Sequence, residues 1–233
     1  MNVLAIGAHP DDIEINCAGT LLKCIQRGDT VTACHMSDGD MGHVVIMPEE
    51  LGKIRRAEAQ NAAKIAGYKG IWGGSHDLDI YDDKETRDRI VKIIRDAKPD
   101  FIISHGLNDY MSDHTAVAKL VRDASFSASC PHYMPELGEA TPACPIYLMS
   151  NERGIDFNPT HYVDISDVMD KKIKMLECHE SQLVWLKDHD GVDIVDSMKV
   201  WDRFRGIQCD AQYAEGFTEF VAGCRLTAKR LLP

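Results

Sequence analysis

No apolar run in this 233-residue chain approaches the length that crosses a bilayer, and the short stretch Asn2 to Gly7 is not preceded by a basic leader. Neither a membrane helix nor a secretory signal is therefore expected. Paired cysteines are missing as well: eight cysteines are scattered without one Cys-x-x-Cys spacing, which excludes the usual zinc-ribbon and disulfide frameworks and points to reduced thiols in the cytoplasm. Basic patches are scarce. With a formal net charge of -11, the chain repels phosphate backbones and anionic lipid headgroups, and its most basic stretches, Lys53 to Arg56 and Lys171 to Lys174, hold only a few cations each. They read as solvated helix faces, so no nucleic-acid or membrane partner is expected. Internal repeats and low-complexity segments are also lacking, while 44% hydrophobic content suffices for one substantial core. A single domain over residues 1–233 is the expectation.

What is present is an alternation of strand-like and helix-like segments. Asn2 to Gly7 reads as a strand, Ile13 to Arg27 as a helix, Thr30 to Met36 as a strand, Pro48 to Ala66 as a helix, Asp83 to Asp96 as a helix and Phe101 to His105 as a strand. Pro48 with Glu49 and Glu50 makes a good helix start, and Gly67 a good stop. Beyond about Ser127 the pattern loosens around several Xaa-Pro dipeptides, before strands near Ile146 to Met149 and His161 to Ile165 and a helix from Ser166 to Cys178. This order predicts an α/β fold with a mostly parallel sheet flanked by helices, in which ligands gather at the carboxyl ends of strands.

Two such ends have an unusual composition. Directly after the first strand comes Ala8-His9-Pro10-Asp11-Asp12, where His9 and Asp12, three apart across a turn stiffened by proline, can be aimed at one metal ion while Asp11 stays beside them. The fourth strand ends in His105-Gly-Leu-Asn-Asp109-Tyr-Met-Ser-Asp113-His114, which supplies a third ligand in His114, at the start of a helical pattern, with Asp113 placed to orient an imidazole. His-Pro-Asp-Asp taken alone is equally a turn in which Asp12 caps the next helix. A second His/Asp cluster at another strand end shifts the balance to a metal site, with Asp11 as the uncoordinated carboxylate that takes a proton from metal-bound water.

These segments resemble the LmbE-like, or PIG-L-type, zinc-dependent N-deacetylases. Ala8-His-Pro-Asp-Asp-Ile-Glu14 is similar to that family's first motif, and Pro99 to His114 to its second metal motif. Ser37-Asp-Gly-Asp-Met-Gly42, Arg55-Arg-Ala-Glu58-Ala59, Cys178-His-Glu-Ser-Gln182 and Tyr213-Ala-Glu-Gly-Phe217 are similar to its weaker patterns. The resemblance implies a Rossmann-like fold, Zn2+ on His9, Asp12 and His114, Asp11 as general base, a small-molecule substrate that is an N-acylated amino sugar or its conjugate, and a homo-oligomer. It also implies that Arg55 reaches the substrate; read from the sequence alone, Arg55 is equally a helix-surface charge paired with Glu58.

One position departs from the pattern. Met111 stands where the family's second motif carries a histidine thought to help polarise the substrate carbonyl, a task methionine cannot perform. Tyr110, His43, His76, His132 and His161 are the candidates for a substitute. Two other readings therefore accompany the hydrolase: a metal-binding relative with altered or lost catalysis, and a non-haem iron oxygenase, since two histidines and a carboxylate also describe its facial triad. The loops Asp40 to Met47, Ser75 to Asp83 and Ser127 to Pro145 are expected to set specificity, with Trp72-Gly73-Gly74 bordering the pocket.

Overall fold

The computed structural model describes residues 1–151 and 154–233. In the first strand, β1 (Asn2–Gly7), Val3 and Ala5 pack into one cluster and Leu4 and Ile6 into another, all four buried. A strand apolar on both faces belongs in the middle of a covered sheet.

The chain continues through α1 (Asp12–Asn16), α2 (Ala18–Gln26), β2 (Thr30–Ser37), α3 (Pro48–Ala66), β3 (Lys69–Ser75), α4 (Lys84–Ala97), β4 (Phe101–Ser104), α5 (Ser112–Ser127) and β5 (Ile146–Met149). It closes with β6 (His161–Asp164), α6 (Met169–Leu176), α7 (Glu180–Trp185), α8 (Ile194–Gln208) and β7 (Ala214–Glu219). The seven strands form one sheet in the order β3-β2-β1-β4-β5-β7-β6; β1 to β5 run parallel, and β7 is antiparallel to both its neighbours. This is the Rossmann-like, mostly parallel arrangement expected.

Both faces are covered. Leu21 and Leu22 of α2, Ala62, Ala63 and Ala66 of α3 and Met175 and Leu176 of α6 pack on one; Ile90, Val91 and Ile94 of α4 and Val117, Leu120 and Val121 of α5 pack on the other. Each fully buried leucine of this kind contributes about 1.5–3 kcal/mol. The helix boundaries follow local chemistry: Pro48 opens α3 and Gly67, at φ 89°, ends it, while the Asp83 carboxylate accepts the Thr86 N–H at 2.8 Å to start α4.

The expected helix from Ile13 to Arg27 is in fact two, broken at Cys17 (φ -149°, ψ 4°). The cause lies far off in sequence: the Glu215 carboxylate, on β7, accepts the Gly19 and Thr20 N–H groups at 2.8 and 2.7 Å and so caps a new helix. The expected helix from Ser166 to Cys178 starts late because Asp164 takes both the N–H and the hydroxyl of Ser166 in a local turn.

Because β1 lies between β2 and β4, the winding direction reverses at the β1/β4 boundary, the position where ligands gather in sheets of this kind. Residues 8–12 and 105–114 follow β1 and β4 at that boundary.

Candidate metal centre

Three side chains meet where β1 and β4 end. His9 leaves the turn after β1, Asp12 is the first residue of α1, and His114 lies in the first turn of α5. His114 Nε2 stands 3.3 Å from His9 Nδ1 and 3.2 Å from Asp12 Oδ1, and His9 Nδ1 is 3.5 Å from Asp12 Oδ2. A tetrahedral zinc with ligand bonds of roughly 2.05 Å has edges of about 3.3 Å between its donor atoms. The two distances from His114 Nε2 match such edges, the third being measured to the other oxygen of Asp12, and two imidazoles plus one carboxylate match the donor set of a catalytic zinc. The turn is also locally closed, the His9 N–H donating to Asp12 Oδ2 at 2.6 Å, so Asp12 serves the backbone and the donor triangle at once. Gly7 permits this closeness: a Cβ there would lie 3.2 Å from the Asp12 Cβ.

The far nitrogen of each imidazole meets carboxylates. His114 Nδ1 is 3.1 Å from Asp109 Oδ2, and His9 Nε2 is 3.1 Å from Asp77 Oδ1 and 3.2 Å from Asp113 Oδ2. Carboxylates in this position fix ring orientation and raise ligand basicity. Burial opposes charge on both rings, but Asp113, Asp12 and Asp77 around His9, and Asp12 and Asp109 around His114, outweigh it; His9 is held well above the usual imidazole range and His114 at about 10. Burial likewise opposes charge on Asp12, yet the imidazole of His114, 3.2 Å away, holds it well below the carboxylate range. His105 stacks on His114 with ring centroids 4.0 Å apart and is pushed down by burial and by that neighbour; its Nε2 accepts the Ala8 N–H at 2.9 Å.

Asp11 lies beside the triangle in a conformation that non-glycine residues rarely adopt, φ 116° and ψ -30°. Arg55, on α3 and only 3% exposed, holds it there. Its Nη2 donates to Asp11 Oδ2 at 3.1 Å and to the Pro10 carbonyl at 2.5 Å, and its Nη1 donates to the Gly39 carbonyl at 2.9 Å. Gly39 must be glycine, for at φ 64° a Cβ would lie 2.2 Å from Arg55 Nη1. Burial raises the Asp11 pKa, and the Arg55 guanidinium only partly offsets it. Glu58 is not the partner of Arg55; its carboxylate takes the N–H and hydroxyl of Ser181 at 2.8 and 2.7 Å.

Of the five candidates for replacing the histidine at Met111, Tyr110 packs against a member of the triangle, its ring centroid 6.0 Å from that of His114. His76 is tied to Asp40 at 2.8 Å and His43 lies against Trp185, whereas His161 packs on Tyr147 and His132 is exposed. Met111 itself is half-buried ahead of α5, its N–H donating to Asp109 Oδ1 at 3.1 Å.

Several members of the centre had no assigned role in the sequence reading. Asp77 arrives from the end of β3, held by an Asp77 N–H to Asp40 Oδ1 bond of 3.0 Å; a third strand end at the same sheet edge was the available signal. Asp109 lay inside a quoted segment but without a task. Beneath the site Glu14, fully buried, accepts the Tyr68 hydroxyl at 2.7 Å and lies 3.5 Å from His179 Nε2. Burial opposes its charge, but His179, His35 and Tyr68 bring the Glu14 pKa down to about 2.

Comparison with known proteins gives a consistent setting. The family pattern described as PIG-L, GlcNAc-PI de-N-acetylase, matches residues 4–125. Diacetylchitobiose deacetylase of Thermococcus kodakarensis is 30% identical, with 78% of this chain and 72% of that protein covered. The solved structure of N,N'-diacetylchitobiose deacetylase from Pyrococcus horikoshii superposes with a TM-score of 0.81 at 27% identity, covering 94% of this chain and 83% of that one. A different activity is also represented: 4-oxalmesaconate hydratase of Pseudomonas putida is 27% identical, with 78% of this chain and 74% of that protein covered.

Proposed function

The chain belongs to the PIG-L (GlcNAc-PI de-N-acetylase) family, and from that premise we propose that it is a zinc-dependent hydrolase removing an acyl group, acetyl above all, from the amide nitrogen of an amino sugar or sugar conjugate. The observation that carries the proposal is the triangle of His9, Asp12 and His114 donor atoms with Asp11 beside it.

When bound, a zinc ion supplies Lewis acidity that lowers the pKa of water and polarises a carbonyl. The protein's own groups do the rest. His9, Asp12 and His114 would hold the ion, and Asp77, Asp113 and Asp109 fix the orientation of the two imidazoles. Arg55 fixes Asp11 through Oδ2, leaving Oδ1 to take the proton of the attacking water and return it to the departing nitrogen. Burial raises the Asp11 pKa toward that of a serviceable base and acid. We assign Arg55 a positioning role first; any contact it makes with substrate is additional.

The hydratase relative favours a second reading, addition of water to an unsaturated carboxylate, and Met111 weakens the amide reading in its favour. The electrostatics favour the amide. Around the centre stand Asp11, Asp12, Asp38, Asp40, Asp77, Asp109 and Asp113, and the two arginines nearby are already engaged, Arg55 with Asp11 and Arg56 with Asp38 at 3.5 Å. Neither arginine is left free to receive a substrate carboxylate, and a neutral amide does not require one.

The test is release of primary amine from a panel of N-acetylated amino sugars by protein loaded with one equivalent of zinc, with and without a chelator. Chelator-sensitive release is expected. A loaded protein that leaves every N-acetyl sugar intact but hydrates an unsaturated di- or tricarboxylate would replace the proposal with the second reading.

A further inference from the structure

A second group of donor atoms converges behind Asp77. Asp38 and Asp40 follow β2 and His76 follows β3, two neighbouring strands of the sheet. His76 Nδ1 lies 2.8 Å from Asp40 Oδ2 and 3.9 Å from Asp38 Oδ1, and one donor atom from each residue lies within 4.8 Å of the other two. The two distances from His76 bracket the edge of about 3.3 Å between donor atoms on a tetrahedral zinc. Gly52 of α3 makes room for the carboxylates: a Cβ there would lie 2.8 Å from Asp38 Oδ2 and 3.3 Å from the Asp40 Cβ.

The two carboxylates are buried, Asp38 at 3% and Asp40 at 5% exposed, whereas the His76 side chain is 65% exposed and closes the group on its outer side. Asp40 is fully engaged, its Oδ1 accepting the Asp77 N–H at 3.0 Å and its Oδ2 meeting His76. Asp38 is not. Its Oδ1, on the side of His76 Nδ1, is buried without a hydrogen-bond partner among the described residues. A buried carboxylate oxygen that lacks a donor is uncommon and costly. Arg56 meets only the other oxygen, at 3.5 Å, and its guanidinium also lies over the Trp72 ring, 4.5 Å from the centroid. Burial and the Asp40 charge push the Asp38 pKa up, as expected where negative charge is under-compensated. A protonated His76 offers one charge to two carboxylates, whereas a divalent ion in the same place offers two charges and a bond to each of the three donors.

We propose that Asp38, Asp40 and His76 bind a second divalent cation, of the zinc class, distinct from the ion of His9, Asp12 and His114. An imidazole beside two carboxylate oxygens selects such ions over calcium and magnesium, which take oxygen ligands. The exposed His76 side chain swings aside to admit the ion, which is the more weakly held of the two. Its effect on the first centre is positional. Asp40 holds Asp77, whose Oδ1 meets His9 Nε2 at 3.1 Å, and Gly39, between the two carboxylates in sequence, accepts from Arg55, which fixes Asp11. The second ion therefore pins the loop from which both supports arise. The proposal does not depend on the hydrolase reading.

The probe is zinc alone, titrated calorimetrically into wild-type, His76→Ala and Asp38→Asn proteins that each retain one equivalent after desalting. The wild type should take up a further equivalent at free zinc of up to about 0.1 mM, a dissociation constant in the micromolar range. In either variant that uptake should weaken by about tenfold or more, with the retained equivalent unchanged. His76→Ala alters an exposed side chain and covers the case in which Asp38→Asn does not fold. No further uptake by the wild type, or uptake by a folded variant as tight as that of the wild type, overturns the site. Amine release does not enter this readout, so failure of the hydrolase reading leaves the outcome standing.

Discussion

Replacing Arg55 by methionine removes a guanidinium that is 3% exposed and serves three acceptors: Asp11 Oδ2, the Pro10 carbonyl and the Gly39 carbonyl. Each of those groups then lacks its donor in a place water reaches poorly. Stranding one partner of a buried ion pair costs about 3–5 kcal/mol, and an orphaned carbonyl costs about 1–3 kcal/mol. The costs do not simply add, because the three acceptors share one side chain and Asp11, its pKa already raised by burial, takes up a proton in preference to staying charged. The net expectation is a loss of about 3–5 kcal/mol, or roughly 6–20 °C in Tm for a chain of this size. Urea denaturation of zinc-loaded wild-type, Asp11→Asn, Arg55→Met and double-variant proteins measures it. If Arg55 acts chiefly by holding Asp11, the Arg55→Met cost should shrink by about 1.5 kcal/mol or more once Asp11 is already asparagine. A cost below about 1 kcal/mol, or strict additivity in the cycle, would refute the clamp and return Arg55 to a purely substrate-facing role.

Other positions give sharper readings of single links. Asp109→Asn, which weakens support of His114 Nδ1, should reduce zinc affinity by about 10–100-fold in a chelator competition, with the fold intact by circular dichroism; unchanged affinity would remove Asp109 from the centre. Glu14 has a folded pKa of about 2 against an ordinary 4.5. Its depressed value stabilises the native state above pH 4.5 and that stabilisation is lost as pH falls toward 2, a difference of about 2.5 pKa units or roughly 3 kcal/mol. Glu14→Gln should flatten this part of the stability profile in denaturant titrations from pH 5 to 2.5, and an unaltered slope would contradict the assignment. Met111→His restores a donor type at the start of α5 and should raise amine release by up to roughly a hundredfold; no gain would mean that another group already supplies the donor.

How much of this was legible in the sequence depended on distance along the chain. β1 was found at Asn2–Gly7, α3 at Pro48–Ala66 and β5 at Ile146–Met149 because apolar pattern and stop signals are local. The break at Cys17 was invisible, since it is made by Glu215 from a strand nearly two hundred residues later. β7 and α8 were not foreseen: Ala-Glu-Gly-Phe-Thr-Glu is a poor strand pattern that gains its partners only in the assembled sheet. In the centre, His9, Asp12 and His114 come from two short segments whose strands are neighbours, so composition alone singled them out. Asp77 needed the β2/β3 pairing and the Asp40 contact to reach His9, and His179 needed the whole C-terminal half to come under Glu14. Asp113 was expected beside an imidazole, and the ring it meets is that of His9.

The central claim is that Asp11 moves the proton while His9, Asp12 and His114 hold the ion. It is tested most directly by measuring zinc content and primary-amine release from N,N'-diacetylchitobiose on the same samples of wild-type and Asp11→Asn protein. The account predicts one zinc in each and a rate in the variant lower by about 10²–10⁴-fold, the usual worth of a positioned proton-transfer group. An equally loaded Asp11→Asn protein that releases amine at the wild-type rate would contradict it.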